Sequence, residues 1–203
     1  MNANNEEMEM TRTLPATSHF SAGRLRGRMI GSVVCSTFGA VWMYQALYYG
    51  YIATPVRLTV ISVLTMVLII WPVIQLCSYS HLKKTDADRA FWASIARPYW
   101  INFAIEWVLC AVVVNWLVHI HRFGLIPHFL GVIIGLHFLP LGKLFRQPLY
   151  YATGVVMAVG VLATLAIPAG HMRNIAACGI DGLVLWATAA VLLGQDWLSS
   201  NEL

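Results

Sequence analysis

Six apolar runs constrain this chain more than any motif in it, and each is close to the ~20 residues that a helix needs to cross a bilayer. They are roughly Met29–Gly50, Arg57–Tyr79, Pro98–His119, Gly124–Leu141, Leu149–Pro168 and Asn174–Gly194. In hydrocarbon the backbone N–H and C=O groups have no water to bond, so such runs must satisfy them internally, as helices. The second run is the plainest, with no charge from Leu58 to Ile70. The fourth is the shortest. The fifth is rich in Ala and Gly, which lets its backbone approach neighbours closely. Composition points the same way: 59% of residues are hydrophobic and 11% charged, against about 25% charged in a soluble domain. The expected fold is an all-α polytopic membrane protein. A bundle of six transmembrane helices over residues 29–195 lies between a disordered polar tail, 1–28, and a short tail, 196–203.

The excess of basic residues sets the orientation. Arg12, Arg24, Arg26 and Arg28 precede the first span, Lys83, Lys84, Arg89 and Arg97 lie in the second connection, and Lys143 and Arg146 in the fourth. The other face carries only Arg57, Arg122 and Arg173. The positive-inside rule then puts both termini in the cytoplasm. A net charge of +4 spread over short loops is topological and gives no basis for nucleic-acid binding. A signal peptide is not expected: the region before the first run is too long, and no small-residue cleavage pattern closes that run.

No connection is long enough for a soluble domain, so any activity belongs in or at the membrane. The sequence has no HExxH, GxSxG, P-loop or dinucleotide fingerprint, so no catalytic residue is assigned and no cofactor is expected. Cys35, Cys77, Cys110 and Cys178 fall inside apolar runs without a CxxC pair and read as small buried hydrophobes. Aromatic pairs near the span ends, among them Phe91-Trp92, Tyr99-Trp100 and Tyr150-Tyr151, fit headgroup belts. Between Ser80 and Arg97, Thr85-x-x-Asp88 resembles a capping box. It could start a short interfacial helix with Phe91, Trp92 and Ile95, before Pro98 opens the third span.

Polar groups inside the spans are the functional signal, because an Asp at the bilayer centre costs about 2.5–3.5 kcal/mol unless paired or wetted. The two acids well inside spans are Glu106 and Asp181. Glu106 is eight residues past Pro98, roughly 12 Å deep at ~1.5 Å per residue. His137, on the next, antiparallel span, is six residues short of Lys143, roughly 9 Å deep by the same rise. Both should share one layer, with Asn102 a turn from Glu106 and able to bond it, and with Gln75 and Thr153 nearby. Glu106, His137, Asn102, Gln75, Thr153 and Asp181 are therefore the candidates for binding a proton or a small solute. The competing reading is a polar tie between the third and fourth spans. Interhelical hydrogen bonds average only about 0.6 kcal/mol in membranes.

An outer layer holds Gln45, Asn115, His119, His128, Asn174 and Asp181. Asn174, Cys178 and Asp181 share one face of the sixth span by i, i+4, i+7 spacing, so that face should look inward. His119, His128 and His171 approach the outer surface and are weak candidates for metal or haem, since no pair shows ligand spacing. Interfacial histidine is the preferred account. The acids also fall at matching places in the two halves, Ile105-Glu106 and Ile180-Asp181, as in inverted repeats. Nothing else aligns, and coincidence is the simpler account.

The stretch Gly135-Leu136-His137-Phe138-Leu139-Pro140-Leu141-Gly142-Lys143-Leu144-Phe145 runs on to Leu149-Tyr150-Tyr151-Ala152-Thr153-Gly154. It resembles uncharacterised small multi-pass proteins of bacterial inner membranes, which carry G-L-H-F-x-P-L-[AG]-[KR]-x-F followed by Y-x-x-T-G. The resemblance implies a bacterial plasma membrane and a special place for His137. It implies no activity. The expectation from residues and resemblance together is a small transporter or permease-like protein with a proton-linked Glu106–His137 pair. The alternative is a membrane sensor or assembly partner, and an intramembrane enzyme or a haem protein is a weaker one. The expected partners are the lipid bilayer and a small solute or proton. A homo-oligomer is also open, because the Gly131/Gly135 face could pack within one chain or between two.

Overall fold

The computed structural model describes residues 22–51, 53–78 and 86–200, and every described element is helical. Six long helices run in order: α1 Ala22–Tyr49, α2 Pro55–Ser78, α3 Asp86–His119, α4 Ile126–Leu144, α5 Pro148–Ala163 and α6 His171–Ser200. Short 3-10 turns at Phe123–Leu125 and Thr164–Ala166 precede α4 and follow α5. All six helices are long and apolar enough to span a membrane. The expected polar tail, apart from its last residues, and Thr85 of the expected capping box lie outside the described residues.

Two differences from the sequence reading concern helix ends. The interfacial helix does not form separately: α3 runs unbroken from Asp86 through Pro98. Pro98 removes one backbone donor, that to the Ser94 carbonyl, and the residues before it keep helical bonds on both sides. At the other end of the chain, α6 extends to Ser200 and takes in most of the expected short tail.

Neighbouring helices are antiparallel. Ser32 Oγ donates to the Ala189 carbonyl (3.3 Å) and Trp186 Nε1 to the Ser36 carbonyl (3.2 Å). Gly39 and Gly182 meet in the same register, where a Cβ on Gly182 would stand 3.0 Å from the Gly39 carbonyl. Small residues let α1 and α6 touch backbone to backbone. Half of α6's apolar window is buried (50%), against 6% of α3's. The core accordingly collects on α6, where Ala177, Cys178, Leu185, Ala189 and Leu192 are sealed against α1 and α5. Helix α3 packs along α4 and scarcely meets α1.

The Gly131/Gly135 face packs within the chain. A Cβ on Gly135 would stand 2.9 Å from the Gly154 carbonyl of α5, and one on Gly154 would collide with the Gly135 carbonyl. The α4–α5 turn closes tightly: Arg146 takes φ 51° and the Gln147 N–H reaches back to the Gly142 carbonyl (3.0 Å). That is a Schellman end. Gln147 Nε2 then donates to Gln195 on α6 (2.9 Å). Cys35 and Cys178 are buried as expected, whereas Cys77 is exposed, because α2 is covered along little of its length.

Overpacking a tight helix seam costs about 1–3 kcal/mol. Gly154→Ala should therefore lower the thermal unfolding temperature of the purified protein. Gly179→Ala, where a Cβ meets nothing within 4 Å, should leave it unchanged or slightly raised. Equal effects would mean that the α4–α5 seam is looser than described.

Candidate functional site

Glu106 of α3 and His137 of α4 meet: His137 Nδ1 lies 3.2 Å from Glu106 Oε2, with the side chains 11% and 16% exposed respectively. Asn102, one turn before Glu106 on α3, also faces α4. It bonds the histidine instead of the carboxylate, with Nδ2 3.0 Å from His137 Nδ1 and 3.4 Å from the His137 carbonyl oxygen. Asn102 makes both of its contacts across the seam to α4.

The geometry ties hydrogen bonding to the location of a proton. Nδ1 has one in-plane position, so it makes one good bond at a time, to Glu106 or to Asn102. When Nδ1 carries the proton, it donates to the Glu106 carboxylate and Asn102 keeps the His137 carbonyl. When Nδ1 is bare it accepts instead, from Asn102 Nδ2 or from the O–H of a protonated Glu106. The carbonyl contact fixes which end of the Asn102 amide faces α4. Nε2 is left to present to anything in the neighbouring space.

That space is a cleft of about 520 Å³ between α1, α3 and α4, closed at the back by Tyr150 of α5 and Leu185 of α6. Glu106 and His137 are in its wall, and rings from four helices line it, including Phe38, Trp92, Tyr99, Phe103, Trp107 and Phe138. The α3 rings form a ladder: Tyr99 and Phe103 stack with centroids 6.4 Å apart, and Phe103 meets Trp107 edge-on at 5.9 Å. Trp92, Tyr99, Trp100 and Tyr150 thus belong to the cleft and not simply to headgroup belts. Tyr150 is 6% exposed, and its hydroxyl lies against Gly31. The chain matches no protein-family model, no curated protein and no solved structure. Its chemistry must therefore be read from these contacts. The spacing Trp92, Tyr99, Phe103, Glu106, Cys110 on one α3 face was the signal for the ladder. The α1 wall, from Ile30 to Phe38, carried none.

The other candidates fall elsewhere. Thr153 is buried between α5 and α6, its Oγ1 2.7 Å from Thr188 Oγ1 and donating to the Leu149 carbonyl. Gln75 is half-buried on α2, a helix that packs on α1 and α6 and stays away from α3 and α4. The expected five-residue layer therefore reduces to Asn102, Glu106 and His137. Asp181 is fully buried on α6, its carboxylate pressed on Gly131 of α4, and neither oxygen has a hydrogen-bond partner among the described residues. Asn174 and Cys178 are buried on the same face, as their spacing implied. His128 is also buried, 2% exposed, and neither ring nitrogen has a hydrogen-bond partner among the described residues. His128 lies in the first turn of α4, just after the turn at Phe123–Leu125. His119 and His171 are exposed, and His171 sits edge-on to Tyr51 at 5.1 Å. Among the described residues no group of three or more His, Cys, Asp or Glu could hold a metal.

Histidine-labelled protein tests the two-state hydrogen bonding. At mildly alkaline pH the ¹⁵N spectrum should show the His137 proton on Nδ1 in the wild type. In Glu106→Leu it should show the proton on Nε2, because only the Asn102 donor then faces Nδ1. The same tautomer in both proteins would break the assignment.

Proposed function

We propose that this chain is a small permease-like transporter of a bacterial inner membrane, with both termini cytoplasmic and proton movement linked to the Glu106–His137 pair. The observation that carries the reading is the contact of a carboxylate and an imidazole at span depth in the wall of an open cleft. Ionisable side chains in transmembrane helices are costly, and where they face a cavity they commonly mark solute or proton paths. A neutral carboxylic acid–imidazole pair and a carboxylate beside neutral imidazole differ by one proton and one charge. The pair can therefore take up or release a proton without any helix changing its backbone bonding.

A second reading is supported by one observation. Helix α3 leans almost wholly on α4, and the Asn102, Glu106 and His137 contacts are polar ties along that seam. In a sensor or assembly partner these ties would simply hold α3 in place.

Proton flux in proteoliposomes separates the two. Glu106→Gln keeps the side chain's shape and should accumulate normally. Removing a general acid–base group from a proton path should lower flux by about a hundredfold or more. His137→Ala should do the same. Unchanged flux in both variants would remove the transport reading. Failure of both to accumulate would favour the structural tie.

A further inference from the structure

The cleft beside Glu106 has the composition of a site for a positively charged, fat-soluble molecule. Ring faces attract cations through their quadrupoles, most strongly where water is excluded, and the α3 ladder with Phe38 and Phe138 supplies such faces around one carboxylate. No lysine or arginine is among the lining residues. The titratable groups that face the cleft beside Glu106 and His137 are Cys110 and Tyr99 on α3, Cys35 on α1 and Tyr150 on α5, while α6 offers only Leu185. Each of those four is neutral in its protonated form; among the described residues no Lys or Arg lines the cleft beside Glu106, and Arg28 of α1 acts on its wall through Tyr150 at the back.

Access is from the side. Ile30, Val34 and Phe38 of α1 and Trp100 and Trp107 of α3 line the cleft, and all are exposed on the outer surface of the helices. In a chain of six spans that surface meets lipid. The volume, about 520 Å³, falls within the range of small-molecule pockets.

We infer that the cleft admits a lipophilic monovalent cation from the bilayer, an aromatic or apolar body with one positive charge, in exchange for the proton of the Glu106–His137 pair. This rests on the proton-linked reading of the pair and names its substrate class. The exchange balances in charge. With its proton the pair is neutral, whether as carboxylic acid beside imidazole or as carboxylate beside imidazolium. The arriving cation displaces one proton to water and leaves a carboxylate to neutralise it, so the site is neutral before and after. No covalent bond beyond that O–H or N–H is broken. Burying the cation without losing the proton would leave an unpaired charge in apolar surroundings, which the medium penalises.

The test uses the full chain in detergent and two probe ions of one shape, tetraphenylphosphonium and tetraphenylborate. Equilibrium dialysis reads binding, and a pH indicator in weak buffer reads proton release. The phosphonium should bind saturably, about tenfold or more tighter than the borate, and release about one proton per ion bound. Glu106→Gln should weaken it by about tenfold or more and abolish proton release. Trp107→Ala, at a ring already exposed, should weaken it severalfold and keep the proton release. Equal binding of the two ions, or phosphonium binding indifferent to Glu106→Gln, would overturn the inference and mark the cleft as an apolar lipid groove. Phosphonium binding with proton release but without proteoliposome flux would support this inference and remove the transport reading. Glu106-dependent proton flux without phosphonium binding would do the reverse.

Discussion

The closeness of α1 and α6 governs how the rest of this bundle is arranged. Lipid offers helices no hydrophobic drive to associate, so association depends on close packing and polar contacts between them. Gly39 and Gly182 supply the closeness, and the bonds from Ser32 Oγ to the Ala189 carbonyl and from Trp186 Nε1 to the Ser36 carbonyl add to it in the same register. Helix α2 packs beside this pair mainly on α1, and α5 beside it on α6. Helix α4 then seats on α5 through Gly135 and Gly154.

Helix α3 is left with the poorest packing, and this is also where the polar chemistry collects. A helix with 6% of its apolar window buried has little dispersion contact to hold it. Asn102 and Glu106 compensate in part through His137. The gap between α3 and α1 is the cleft itself. A groove of this size and a weakly packed helix are two descriptions of the same shortfall in contact.

Much of the fold was legible in the sequence because the bilayer restricts the choices. Apolar length gave six helices, and the depth argument from Pro98 and Lys143 put Glu106 and His137 in one layer, where they touch. What failed was azimuth. Depth says how far along a helix a residue lies, whereas contact also needs the direction it faces. Gln75 and Thr153 share a layer with His137 yet point to other seams. His128 reads as interfacial by depth, and depth alone does not say that its ring is covered by the bundle. Pro98 was read as a helix start, although a single missing donor in a long apolar helix is tolerated.

The buried carboxylate of Asp181 has a mechanical consequence. Pressed against Gly131, it sits where any axial rotation of α4 would bring a larger side chain onto it. Gly135 holds α4 against α5 in the same way, and the Gln147–Gln195 bond ties the turn after α4 to α6. Helices α4, α5 and α6 thus act as one fixed platform. Helix α3 is joined to that platform chiefly along the seam that His137 shares with Asn102 and Glu106. In the proposed transporter, the seam that joins α3 to this base would consist of the same atoms that carry the proton.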